Sequence, residues 1–188
     1  ISTEQAIEWF DIDGVGNSPS RFDFAKLENL NGIYIRNAEN AYLTKLIAPL
    51  ITKSEGITLT DDGVDRLTKG MSGLKERAKT INELAESAAF YVKPRPLTLV
   101  PKAEKLLSDD GKANLSNLLP VLEALSDWKE EVLETAVKSF AEENELKLGK
   151  VAQPLRAALS GSNVSPGIFE VMDILGKEEA LNRISDQI

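Results

Sequence analysis

Breaking bonds requires groups that move protons or attack, and this chain is short of them. Its 188 residues include no His and no Cys. Imidazole bases, thiolate nucleophiles, disulfides and the usual zinc ligands are excluded together. Carboxylates, Lys, Ser/Thr and Tyr remain. The carboxylates are numerous, but they fall on solvated helix faces and their spacing pairs none of them. Hydrogen-bonding side chains on bends stand out instead. Gln153, Arg156, Ser162, Asn163 and Ser165 lie in or beside tight turns of KLGKVAQPLRAALSGSNVSPGIFEVMDILGKEEALNRI, residues 147–184. A further arginine, Arg77, stands in LKERAKT. Such groups suit recognition of a hydrogen-bonding partner. No catalytic residue is expected.

Three short helices must position the C-terminal set. Pro154 is expected early in the first, where a missing N–H costs little. Gly161 reads as its C′ glycine. Ser165 reads as an N-cap with Pro166 at N1 of the second helix, and Gly176 closes it. Arg77 belongs to an earlier helical region. Asp61-Asp62-Gly63 starts a short helix, and Gly70 and Gly73 are expected to interrupt it. Thr80 and Glu83 fit a capping box ahead of Ile81, Leu84, Ala88 and Tyr91. Pro94 and Pro96 end the region, and a boundary is placed there.

The other segments are helical too. Ser2 or Thr3 can cap a helix over residues 1–10, followed by the turn-rich link DIDGVGNSPS. Phe24, Leu27, Leu30 and Tyr34, with Ile35 alongside, predict a helix with one buried face. Leu46, Ile47, Leu50 and Ile51 form another stripe, with a turn at Lys53 to Gly56. Pro101 opens a short helix to Leu107, and SDDGKANL is expected to break the chain. Pro120 sits within the next leucine pattern, so regular helix is expected only from about Asn117. Ser126 is expected to cap the following helix. Its predicted buried stripe is Trp128, Val132, Ala136 and Phe140, and Glu134 and Lys138 make a surface pair worth about 0.2–0.5 kcal/mol. The best strand candidate, ITLT at 57–60, is too short to build a sheet. The expected architecture is all-α: two packed helical bundles with a short N-terminal helical extension.

Composition is that of an ordinary globular chain, 42% hydrophobic and 28% charged. No apolar run approaches the roughly 20 residues of a membrane span, and the start, ISTEQAIEWF, does not resemble a signal peptide. Without an initiating Met, Ile1 is expected to be a cut rather than a natural start. The net charge of −8 argues against nucleic acid. Its distribution is uneven. Residues 66–105 carry nine Lys/Arg and four Glu, a net of +5 that leaves −13 for the rest. A basic middle can hold phosphates locally. On charge alone, a salt-bridge-laced helix face is the simpler account.

The motifs in order carry a resemblance. Gln-Pro-Leu-Arg at 153–156, Ala-Leu-Ser-Gly at 158–161, Ser-Pro-Gly-Ile-Phe-Glu at 165–170 and Leu-Gly-Lys-Glu at 175–178 resemble the C-terminal, anticodon-binding end of bacterial glutamyl-tRNA synthetase. Phe22, Asp23, Lys26, Leu27, Asn31, Tyr34, Ile35 and Arg36 resemble a phrase of that family's stem-contact region. Asn29 and Ile33 depart from it, because the family often has an aromatic and a His there. The resemblance covers about Phe22 to Ile184 and is weakest at 44–70 and 105–120.

The resemblance implies a division into 1–43, the tail of the stem-contact region, and two helical anticodon-binding subdomains, 44–92 and 93–188. It implies anticodon contacts by Arg77, Gln153, Arg156, Ser165, Pro166 and Ile168, and stem contacts by Lys26 and Arg36. Arg77 would read the third anticodon base, with Lys75 and Lys79 as rivals in register. The implied partner is a glutamate-specific tRNA, with no DNA and no membrane, bound by a cytoplasmic monomer. ATP, magnesium and glutamate would act in a part of the parent enzyme outside this chain, which itself needs no cofactor. The family's His-containing catalytic motif cannot occur here. Lys69-Gly70-Met71-Ser72-Gly73 only echoes the second motif and reads as a helix break. Composition without the resemblance favours an acidic helical protein-interaction module that binds no RNA.

Overall fold

The computed structural model describes residues 1–188 apart from 17 and 20. The part of the expected turn-rich link at those two positions lies outside the described residues. Among the described residues there are helices, turns and loops but no strand. None of the helices is long and apolar enough to cross a membrane. The helices are α1 (Thr3–Trp9), α2 (Phe24–Asn37), α3 (Asn40–Glu55), α4 (Asp61–Lys75), α5 (Ile81–Ala88), α6 (Pro101–Glu104), α7 (Asp109–Glu123), α8 (Glu130–Glu143), α9 (Gly149–Ser160), α10 (Ile168–Leu175) and α11 (Lys177–Ser185). Helices α3, α4 and α5 pack on one another, and α7 to α11 form a second bundle. Helix α4 also packs on α10, so the two bundles meet there. A division between residues 43 and 44 falls inside α3.

Several boundaries follow local chemistry that the sequence displays. Ser2 caps α1, and Gln5 completes the capping box. Gly161 takes a left-handed φ of 70° after α9, where a Cβ would be strained. Gly176 ends α10 and opens α11. The Thr80 Oγ accepts from the Glu83 N–H at 3.1 Å. The Glu83 carboxylate reaches the N–H of Lys79 at 2.8 Å, one residue before the cap.

Other expectations need correction. Helix α4 runs unbroken through Gly70 and Gly73. Each glycine gives up about 1 kcal/mol of helix propensity and gains close packing. A Cβ on Gly70 would lie 2.4 Å from the Tyr91 ring, and one on Gly73 would lie 2.8 Å from Glu170 and 2.9 Å from Pro166. The SDDG segment is a helix start rather than a break. The Ser108 Oγ accepts from Gly111, and Asp109 and Asp110 occupy the first turn, where acids favour the macrodipole. Pro120 therefore lies inside α7. Pro154 is the sixth residue of α9, deeper than expected. The Lys150 carbonyl, which it cannot bond, accepts instead from the Asn114 Nδ2 of α7 at 3.2 Å.

Two apolar stripes also differ from expectation. In α2, Ile35 is 3% exposed and Gly32 is buried, but Phe24 is 73% exposed, and Leu27, Leu30 and Tyr34 also face outward. In α8 the buried set is Leu133, Val137, Phe140 and Ala141, one residue on from the predicted stripe apart from Phe140. Trp128 precedes the helix and donates its Nε1–H to the Met172 carbonyl at 2.8 Å. Lys129, not Ser126, occupies the N-cap position. The Glu134–Lys138 pair forms at 2.7 Å.

Gly70→Ala should lower stability by about 1–3 kcal/mol despite its better helix propensity, because the added methyl overpacks against Tyr91; urea unfolding measures this. Tyr91 presents the opposite case. Its buried hydroxyl finds no hydrogen-bond partner among the described residues, and burial pushes its pKa up. Removing an unsatisfied buried polar group relieves a penalty. Tyr91→Phe should therefore leave the Tm unchanged or raise it, whereas a clear drop would show that the hydroxyl is satisfied.

Candidate nucleic-acid interface

Of the polar side chains picked out on bends, Arg156 and Ser165 are brought together by α9 and the loop after it. Arg156, on α9, is half-buried and turns its guanidinium onto the 165–166 bend. Its Nη1 donates to the Ser165 carbonyl at 3.0 Å, to the Pro166 carbonyl at 2.7 Å and to the Ser165 Oγ. Arg77 follows α4 in the other bundle. Its Nη1 reaches the same Ser165 carbonyl at 3.4 Å. Two guanidinium groups from different bundles thus converge on one carbonyl. Burial, together with the nearby Arg77 charge, lowers the Arg156 pKa. A guanidinium nonetheless keeps its charge in proteins.

Ser165 is not the expected N-cap. Helix α10 starts at Ile168, and Gly167 at the cap position makes no side-chain bond. The Ser165 Oγ donates to the Pro166 carbonyl at 2.9 Å and accepts from Arg156. Its hydroxyl is therefore spent on the bend itself. Ser165 is 8% exposed and Ile168 4%, and Pro166 is buried. Ser165 and Pro166 nonetheless line a cavity of about 380 Å³ between the bundles, together with Arg77, Phe90, Lys93 and Ser162. Gln153 is exposed on α9, one turn before Arg156. Lys26 and Arg36 are not brought to this cavity. Lys26 is exposed in the first turn of α2, and the Arg36 guanidinium lies over Gly32 of its own helix.

Much of each guanidinium remains available. A guanidinium has five N–H donors in a planar fork. The bonds made by Arg77 and Arg156 among the described residues all use Nη1. Their Nε and Nη2 groups can serve a ligand. The wider basic window is partly neutralised: Lys69 pairs with Asp65, Lys79 with Glu28, Lys93 with Glu55, and Arg95 with Glu179 and Asp186. The salt-bridged-face account therefore holds for these four, while Arg77 makes no such pair among the described residues.

The echo at residues 69–73 does not have the backbone of a nucleotide-phosphate loop. Lys69 to Gly73 lies inside a continuous helix, with no strand-to-helix phosphate loop around it. Sequence reasoning missed Arg183, which is 1% exposed and braces the cavity from behind. It donates to the Phe90 and Leu159 carbonyls, both at 2.8 Å, and to Glu179 at 2.6 Å. Its i, i+4 spacing from Glu179 was visible, but that spacing alone describes a surface pair.

The chain is similar to two curated relatives named glutamate–tRNA ligase 2. One, from Paramagnetospirillum magneticum, is 54% identical over 100% of this chain and 40% of its own length. The other, from Parvibaculum lavamentivorans, is 54% identical over 100% of this chain and 38% of its own. The chain thus spans about two fifths of the relatives it matches. A solved structure of a glutamate tRNA ligase from Elizabethkingia meningosepticum, in complex with its amino acid, superposes with a TM-score of 0.82 at 25% identity, covering 98% of this chain and 36% of that one. Residues 33–188 match the model of a family described as an anticodon binding domain. With five-sixths of its length matched by that model, the chain belongs to the anticodon-binding domain family.

Proposed function

We propose that this chain reads the anticodon of a glutamate-specific tRNA, as the C-terminal part of a longer glutamate–tRNA ligase. One observation carries the reading: Arg77 and Arg156, from separate bundles, meet at Ser165 on the wall of a cavity of about 380 Å³. That volume lies within the range of small-ligand pockets. Single-stranded bases are recognised by stacking and by hydrogen bonds to their edges, and a guanidinium offers both. Gln153 adds an amide that can donate and accept.

In this reading Arg156 both shapes the bend and faces the RNA. Arg77 reads the third anticodon base. Its donors match the carbonyl and ring-nitrogen acceptors of cytosine, whereas guanine offers mostly donors on that edge. Ser165, Pro166 and Ile168 supply the bend's shape and backbone. Lys26 and Arg36 on α2 contact the stem. ATP-dependent attachment of glutamate belongs to the rest of the longer protein, a cytoplasmic monomer.

Binding of this chain to anticodon stem-loop RNAs at two salt concentrations tests the proposal. Affinity for the glutamate loop should exceed that for a serine loop and should fall as salt rises. Equal affinity for both loops, with no salt slope, is the behaviour of a protein-interaction module and would sink the proposal. Changing the third anticodon base from cytosine to guanine should weaken binding by roughly 1–3 kcal/mol, by analogy with base readout in duplexes. Arg77→Gln should erase most of that difference. Arg156→Lys keeps the charge but is shorter and lacks the planar fork that sets Nη1 against the bend. It should weaken binding to every loop and speed amide exchange at 162–165 and 167.

A further inference from the structure

The loop that carries Arg77 is fixed from behind by α2, and one short side chain is central to that contact. Asn31 belongs to the α2 phrase read from sequence, yet neither the stem contacts nor the cavity uses it. Its Nδ2 donates to the Lys79 carbonyl at 2.5 Å, two residues beyond Arg77. Ala78, between the two, is 5% exposed. A Cβ on Gly32 would sit 3.5 Å from the Ala78 carbonyl, so α2 approaches this backbone closely. The other polar ties to the segment use longer side chains, the shortest being the Glu83 carboxylate of α5, which accepts from the Lys79 N–H at 2.8 Å. The Lys75 Nζ donates to the Ala38 carbonyl at 3.0 Å. Lys79 and Glu28 pair at 3.8 Å with both side chains more than half exposed, a contact of little energy.

We infer that Asn31 is a positioning residue for Arg77: its amide pins the backbone of residues 78–79 to α2 and so aims the Arg77 guanidinium across the gap at Ser165. This rests on the reading of Arg77 as the residue that senses the third anticodon base. The physical reason is leverage. Arg77 is exposed, and a long exposed side chain selects between bases only if its Cα and peptide planes are fixed. On one side α4 ends at Lys75, and Glu76 and Arg77 form the closing turn. On the other side α5 does not start until Ile81. Between those ends Asn31 holds a backbone carbonyl, and it does so from a rigid helix with a side chain of only two torsions. The stem-contact helix and the base-reading loop are thereby one mechanical unit.

The test uses this chain and two anticodon stem-loops that differ only in cytosine or guanine at the third anticodon base. Asn31→Ala and Asn31→Leu both remove the donor, and circular dichroism and Tm establish that at least one folds. The cytosine preference should fall about fivefold, the scale of one lost hydrogen bond. Amides 76–80 should exchange faster with deuterium. The double variant Asn31→Ala/Arg77→Gln should show no further loss of preference beyond Arg77→Gln. An unchanged preference in the folded Asn31 variants, with Arg77→Gln losing it, would overturn the role of Asn31 and leave that of Arg77 standing. Equal weakening for both loops would also overturn it, because a merely structural bond moves affinity without moving choice. Retention of the preference in Arg77→Gln would remove the reading of Arg77 and this inference with it.

Discussion

One buried charge ties three parts of the chain to one another. The guanidinium of Arg183 is almost fully enclosed, bonded to the carbonyls of Phe90 and Leu159 and to the carboxylate of Glu179. Phe90 ends the first bundle, Leu159 lies in α9, and Arg183 itself belongs to α11. An unpaired buried ion would be costly, so each of these partners is needed where it stands. Burial lowers the Arg183 pKa and the Glu179 contact raises it. The segment between the bundles is fastened to the same helix: Arg95 pairs with Glu179 and Asp186, and the Gln187 amide donates to the Leu97 carbonyl. The Val100 N–H donates to the Gly161 carbonyl at 2.9 Å. The cavity draws its walls from both bundles, and this network fixes their separation.

The second constraint is close approach. Helix α4 can lie against Tyr91 on one side and Pro166 on another only because Gly70 and Gly73 lack side chains at those points. That approach places the end of α4, and hence Arg77, within reach of Ser165. Arg156 meets it from α9. The site is therefore a product of packing between bundles, with no single loop sufficient to make it.

What was legible in the sequence was local. The Ser2 cap, the Thr80 cap, the Gly161 turn and the Glu134–Lys138 pair depend on neighbours within four residues, and each is present in the structure. Arg156 and Ser165 were both singled out beside turns of one stretch, and the fold brings them into contact. The misreadings have non-local causes. Gly70 and Gly73 looked like breaks because Tyr91 and Pro166 are distant in sequence. Pro154 looked confined to a helix start because nothing in its own segment shows that Asn114 takes the freed carbonyl. Ser165 looked like a cap because its Arg156 partner is recruited through the tertiary fold. The α2 stripe has a helical period, but period alone does not say which side meets the rest of the molecule, and only Gly32 and Ile35 do so fully.

The braced gap between the bundles has a thermodynamic consequence for any RNA that enters it. On the proposed reading, walls already fixed by the Arg183 and Arg95 contacts would leave little ordering of the polypeptide to be done on arrival. The variable expense then lies with the nucleic acid, whose bases must leave their stack. Loops that are already splayed in solution would associate more readily than stiff ones carrying the same three letters.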